Sequence, residues 1–276
     1  MLKERIITSV WFVSLLVIVV WFGGEPGFTI LMVIFGILAA LEFYRMVAIS
    51  KAPPLTYFGL VWTALLILSR NSELLPALES YLKPVPVTPF LLTAAVVPPL
   101  LWLLSRRQKE GAFTSWAWTI AGILYVGWLL SYLVALRGLD AGRNWVFFAL
   151  FVTWVSDTTA FFIGRRFGRH KMAPNISPGK TWEGAMGGIL GAIIMSILFF
   201  TPTPFHLPLI YWQAILLSIL VSIFGQVGDL VESLLKRSMG VKDSGKLMPG
   251  HGGILDRMDS VVFAGMVVYY YVIWAI

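Results

Sequence analysis

The sequence predicts an all-α, polytopic membrane protein of about nine transmembrane helices, with the N-terminus in the cytoplasm and the C-terminus outside. Three observations carry this. Hydrophobic residues make up 58% of the 276 and charged residues only 13%, where soluble domains carry about 25% charged residues. Apolar runs recur from end to end at the length that roughly 20 helical residues need to cross a hydrocarbon core. The basic residues, finally, concentrate in every second gap between those runs and so on one side of the membrane, as the positive-inside rule requires.

The expected spans are 6–22, 28–49, 54–69, 88–104, 115–136, 144–163, 185–201, 209–228 and 260–276. The first follows Lys3 and Arg5 in the manner of a signal peptide, but no small-residue cleavage site comes after it, so it reads as a retained helix. Pro26, Pro53-Pro54, Pro84, Pro86, Pro89, Pro202, Pro204 and Pro208 fall at the gaps, where a missing backbone donor costs least. Span 54–69 is short, and a tilted or interfacial helix is its alternative. With the N-terminus inside, 17 of the 21 Lys and Arg residues fall on the cytoplasmic side, leaving Arg70, Lys83, Arg137 and Arg143 outside. Residues 1–143 form a five-span scaffold with few internal polar groups. Residues 144–276 form a four-span catalytic region with cytoplasmic loops 164–184 and 229–259. The absence of cysteine excludes disulfides, thiol nucleophiles and Cys-ligated metals. The net charge of +7 sits in membrane loops, which points to anionic lipid or substrate phosphate and away from nucleic acid.

Polar residues concentrate in two stretches. In the first, Asp229 lies where span 209–228 reaches the cytoplasm, and Asp256 and Asp259 are three residues apart at the mouth of the last span, on one helix face. Antiparallel spans can bring these carboxylates together, and three anions beside hydrocarbon need a compensating cation. Hard oxygen donors suit Mg²⁺, which also binds substrate phosphate. Asp157 adds a fourth carboxylate inside span 144–163, about 9 Å from its cytoplasmic end. The alternative is structural ion pairing with Lys236, Arg237, Arg257 or Arg165.

Beside the acids are groups suited to phosphate. Lys236, Arg237 and Lys242 offer cations, and the turn Pro249-Gly250-His251-Gly252-Gly253 precedes a helix N-terminus. The second stretch contains Ser177, Lys180, Thr181 and Glu183; Lys180 can engage a triphosphate, the hydroxyls can donate, and Glu183 can orient Lys180 or a metal-bound water. It is not a P-loop, because the required glycine spacing is missing. Arg165, Arg166, Arg169 and Lys171 read more simply as anchors for anionic lipid head groups. Gly184, Gly187, Gly188 and Gly191 form a small-residue face for close helix packing.

Ser233-Leu234-Leu235-Lys236-Arg237, Lys242-Asp243 and Pro249 through Asp259 together resemble the C-terminal signature of the phosphatidate cytidylyltransferase (CDP-diacylglycerol synthase) family. Ser177 through Gly184 resembles that family's second conserved loop. Gly179 stands where members carry lysine, and Met248 where Leu, Ile or Phe is expected. The resemblance implies a multi-pass enzyme of the cell inner membrane that condenses CTP with phosphatidic acid to CDP-diacylglycerol and pyrophosphate, using Mg²⁺; the repulsion between the two substrate phosphates adds the expectation of a two-cation site. It maps the family's aspartates onto Asp229, Asp256 and Asp259 and its basic pair onto Lys236 and Arg237. Phosphate contacts are expected from Ser177, Lys180, Thr181, Glu183, Lys242, His251, Gly252, Gly253 and Arg257, and metal contacts from the three aspartates and Asp157. Membrane lipids and a homodimer complete the expected partners. A lipid kinase or another phospholipid phosphotransferase is the rival enzyme. A transporter of phosphorylated solutes is the rival from outside enzymology, although no repeat with midplane polar groups is visible.

Overall fold

The computed structural model describes residues 2–50, 52–74, 86–105, 110–245, 247–248 and 252–276. Lys51, Lys83, Pro84, Arg106, Arg107, Lys109, Lys246, Pro249, Gly250 and the expected phosphate contact His251 lie outside the described residues. The described residues fold into nine helical rods. These are α1 (Leu2–Phe22), α2 (Gly24–Val47), α3 (Thr56–Leu68), α4 (Val87–Leu104), α5 (Ala112–Arg137), α6 (Gly142–Phe167), α7 (Trp182–Phe200), α8 (Tyr211–Ser238) and α9 (Leu255–Ala275).

Seven of these rods are long and apolar enough to cross a membrane, namely α2 and α4 through α9, and the chain is a multi-pass membrane protein. In α1 the apolar stretch is Val10–Phe22, and α3 has 13 residues, about 20 Å against a hydrocarbon core of about 30 Å. Each expected span therefore has a helix, while α3 is too short to reach both interfaces unaided.

Two compact units are present, Met1–Gly138 with Met239–Asp256, and Leu139–Ser238 with Arg257–Ile276. Segment 239–256, expected to lie with the C-terminal spans, groups with the N-terminal helices. In the first unit α2 packs on α3 and α5. Tyr44 of α2 fills the space left by Gly59 and Gly122, where any Cβ would strike its ring, and its hydroxyl donates to the Thr119 carbonyl at 2.9 Å. Trp62 Nε1 donates to the Leu91 carbonyl at 2.8 Å. Such bonds satisfy buried polar groups where lipid offers no partner. Within α5, Ile123–Trp128 widens to a π-helical turn. Gly127 there lies so close to α3 that an added Cβ would come within 2.9 Å of Thr63 Cα.

In the second unit α6, α7 and α8 pack on one another. The glycine stripe of α7 explains the closeness of α6. Gly184 faces Gly164 and the Ala160 carbonyl, Gly187 faces Ile163, and Gly191 faces Thr159. Large side chains on other faces, such as Ile194, Trp212 and Leu234, are exposed, as suits contact with lipid tails.

Two features depart from the expected fold. The stretch read as loop 164–184 contains an antiparallel hairpin, β1 (Lys171–Ala173) with β2 (Ser177–Thr181), pairing Lys171 with Thr181 and Ala173 with Ser177. Its turn runs from Ala173 to Ile176, closed by Ile176 N donating to the Ala173 carbonyl at 3.2 Å, with Pro174 preset at the second turn position. The stretch read as loop from 229 is helical to Ser238, because Asp229, Glu232, Ser233 and Lys236 recur at the spacing of one helix face.

Candidate active site

Four elements of the second unit converge on a polar centre. Helix α8 contributes Asp229 and Glu232, one turn apart, and α9 contributes Asp259; carboxylate oxygens of these three lie within 4.8 Å of one another. The convergence follows from Gly228, where any Cβ would collide with the Asp259 backbone carbonyl and come within 2.8 Å of the Phe263 ring. A glycine is needed there for the helices to cross at backbone contact. Asp259 is 8% exposed and Glu232 1%. Ser260 N donates to Asp259 Oδ1 at 2.7 Å, and Ser233 Oγ donates to Asp229 Oδ1 at 3.3 Å.

Lysines from two directions offset these charges. Lys180 of β2 places Nζ 2.8 Å from Asp229 Oδ2 and 3.2 Å from the Gln226 carbonyl, and Lys236 pairs with Glu232 one helical turn back. Asp157 of α6 is exposed, accepts a hydrogen bond from Ser260, and has Asp229 and Lys180 as its electrostatic neighbours. The four carboxylates Asp157, Asp229, Glu232 and Asp259, set against the ammonium groups of Lys180 and Lys236, leave two formal negative charges. That balance and an all-oxygen donor set fit a hard divalent cation. Deeper in the unit a ladder of uncharged polar groups continues: Gln226 Nε2 donates to Ser222 Oγ at 3.0 Å, and the Ser222 and Ser156 hydroxyls are 2.7 Å apart.

The hairpin aims Lys180. Thr181, an expected phosphate contact, caps α7 by accepting from Gly184 N at 3.1 Å. Glu183 does not reach Lys180. Its carboxylate takes His170 Nδ1 at 2.6 Å and the Arg169 amide at 3.1 Å, fastening the approach to β1 onto α7. Ser177 opens β2 half-buried, and Arg237 donates from Nε to the Ile176 carbonyl at 3.3 Å, tying α8 to the hairpin turn. Arg257 is exposed in the first turn of α9.

The remaining expected residues belong to the first unit. Lys242 is an exposed bend. Met248 N donates to the Gly252 carbonyl at 2.9 Å, and Gly252 has φ of +83°, a conformation suited to glycine. Asp256 Oδ2 accepts from Gly253 N at 2.8 Å, Ser244 Oγ at 2.8 Å and Ser244 N at 3.0 Å. This carboxylate organises the turn before α9.

Among the described residues, the carboxylate that completes the group with Asp229 and Asp259 is Glu232, which sequence reasoning missed. Its signal was present: it stands three residues after Asp229 and four before Lys236, the spacing that placed Asp256 with Asp259 on one face.

Fold and site together define a multi-pass membrane protein whose buried acidic centre is able to coordinate a metal ion. The sequence profile of the Cytidylyltransferase family matches residues 3–274, and the chain belongs to that family. Its relatives include the phosphatidate cytidylyltransferase of Bacillus subtilis (strain 168), 35% identical over 270 residues that span 98% of this chain and 97% of that protein. The one from Brucella abortus biovar 1 (strain 9-941) is 34% identical over 277 residues, 97% of this chain and 92% of its own. That of Staphylococcus haemolyticus (strain JCSC1435) is 44% identical over 156 residues, 56% of this chain and 58% of its own.

Proposed function

We propose that this chain is a CTP:phosphatidate cytidylyltransferase, joining CTP and phosphatidic acid to give CDP-diacylglycerol and pyrophosphate. The observation that carries the reading is the convergence of Asp229, Glu232 and Asp259 beside Lys180, in a family whose relatives bear that name over nearly their whole length. A site on membrane-crossing helices suits a reaction between one substrate anchored by acyl chains and another dissolved in water. The basic residues favour a cytoplasmic site, a cytoplasmic N-terminus and nine crossings, α1 and α3 included.

Asp229, Glu232 and Asp259 would hold Mg²⁺, with Asp157 as the adjoining carboxylate; the phosphates of two substrates bring the further negative charge that a second cation needs. A divalent cation bound there supplies charge screening and polarises a phosphoryl oxygen. The phosphatidate oxygen is already anionic, so its in-line attack on the CTP α-phosphorus needs no nucleophile from the protein. A bond forms between that oxygen and the α-phosphorus, the α–β bridging bond breaks, and its electrons leave with pyrophosphate. Lys180 and Lys236 bind the triphosphate and neutralise the leaving group, and Arg237, Lys242 and Arg257 are the further phosphate contacts of this proposal. Ser177 and the Gly252-Gly253 turn offer further donors, and Asp256 keeps that turn in shape.

Purified protein given phosphatidic acid and each of the four nucleoside triphosphates, with and without Mg²⁺, tests this. The expected result is nucleotide-linked lipid and pyrophosphate from CTP, dependent on Mg²⁺. Phosphorylated lipid formed from ATP, with no nucleotide-linked product, would overturn it.

A further inference from the structure

We propose that Glu42, in a helix of the N-terminal half expected to serve as scaffold, is a positioning residue for cytidylyl transfer, holding the turn that carries Asp256; this rests on the function proposed above. Glu42 lies within α2, is 2% exposed, and sits in a run that is otherwise almost wholly apolar. A carboxylate at such a place is costly unless it is hydrogen-bonded, and an ionisable group within a span is a sign of function.

Its partners belong to one short piece of chain more than 200 residues away. Leu255 N donates to Glu42 Oε2 at 2.9 Å, Ser244 Oγ lies 3.3 Å from the same oxygen, and the Ile254 amide also faces the carboxylate. Glu42 thus supplies from another helix the acceptor that the opening amides of α9 lack within their own helix. Ser244 relays the hold, since its hydroxyl and amide both meet Asp256 Oδ2.

Two glycines are shaped to this contact. A Cβ on Gly245 would come within 2.8 Å of Glu42 Cδ, and one on Gly253 would strike Glu42 Oε2 and Ser244 Oγ. Gly253, expected as a phosphate contact, is therefore also the place where the turn lets the α2 carboxylate approach.

The test uses full-length protein in detergent, as wild type, Glu42→Gln and Glu42→Leu, with two readouts: turnover of CTP and phosphatidic acid, and amide hydrogen exchange of the peptide covering 244–256. Glu42→Leu is expected to lower turnover about 30-fold, as loss of hydrogen bonds to a charged acceptor implies, and Glu42→Gln about fivefold, because its amide oxygen still accepts. Exchange across 244–256 is expected to accelerate about tenfold or more in Glu42→Leu, with peptides of α6 to α8 unchanged. Gly253→Ala should accelerate the same exchange. Wild-type turnover in both Glu42 variants would overturn the proposal, as would lost turnover with unaltered exchange at 244–256. Should Glu42→Leu fail to fold, Glu42→Gln alone decides by the same two readouts. An inactive wild type would instead sink the cytidylyltransferase reading itself, so the two failures are distinct.

Discussion

Asp259→Asn is expected to lower cytidylyl transfer by about 10³-fold or more, the scale of several kcal/mol of lost charge stabilisation, while the helices stay assembled. The two halves of that expectation have different causes. Asparagine keeps the volume and one side-chain oxygen, so the 2.7 Å bond from Ser260 N can persist and the close crossing at Gly228 is undisturbed. What disappears is one formal charge from a group of three carboxylates, of which Glu232 and Asp259 are buried and Asp229 half-buried. Turnover of labelled CTP, read beside the thermal unfolding midpoint of the same preparation, checks it. An unfolded variant would mark Asp259 as a packing residue. A folded variant with wild-type turnover would remove it from the chemistry.

Lys180→Met is expected to lower turnover by about 10²- to 10³-fold, the range seen when one preorganised donor is removed from a developing negative charge, and to raise the CTP requirement. The same change should tighten divalent-cation binding. Lys180 sits 2.8 Å from Asp229 Oδ2, so a bound cation competes with its ammonium for that carboxylate, and methionine removes the competitor without removing bulk. Slower turnover with tighter metal binding is the signature of a lysine whose task lies with the phosphates. Unchanged turnover and CTP dependence would leave Lys180 a structural partner of Asp229.

Much of this architecture was legible in the sequence, because a bilayer forces its solution on the chain: apolar segments of fixed length, prolines at their ends and cations on one side. The pairing of Asp229 with Asp259 was readable for a related reason, since carboxylates at the ends of adjacent spans need a common counter-charge. Glu232 is not legible because the polar, charged stretch after 228 reads as loop, whereas α8 continues to Ser238 and keeps Glu232 beneath Lys236. Glu42 is not legible because no second acid accompanies it in span 28–49, and its partners lie beyond any local pattern. The hairpin of β1 and β2 is too short for periodicity to reveal. Only Pro174 in its turn and the cap at Thr181 hint at it, yet it is what carries Lys180 to Asp229.

The central claim is that acidic side chains of α8 and α9 hold a divalent cation, and crystals soaked in Mn²⁺ test it without reference to turnover. Anomalous scattering should give a peak bounded by Asp229, Glu232 and Asp259 in the wild-type protein, lost or strongly reduced in Asp259→Asn. Ordered wild-type crystals with no peak among those carboxylates, or with Mn²⁺ bound at other residues only, would contradict the account.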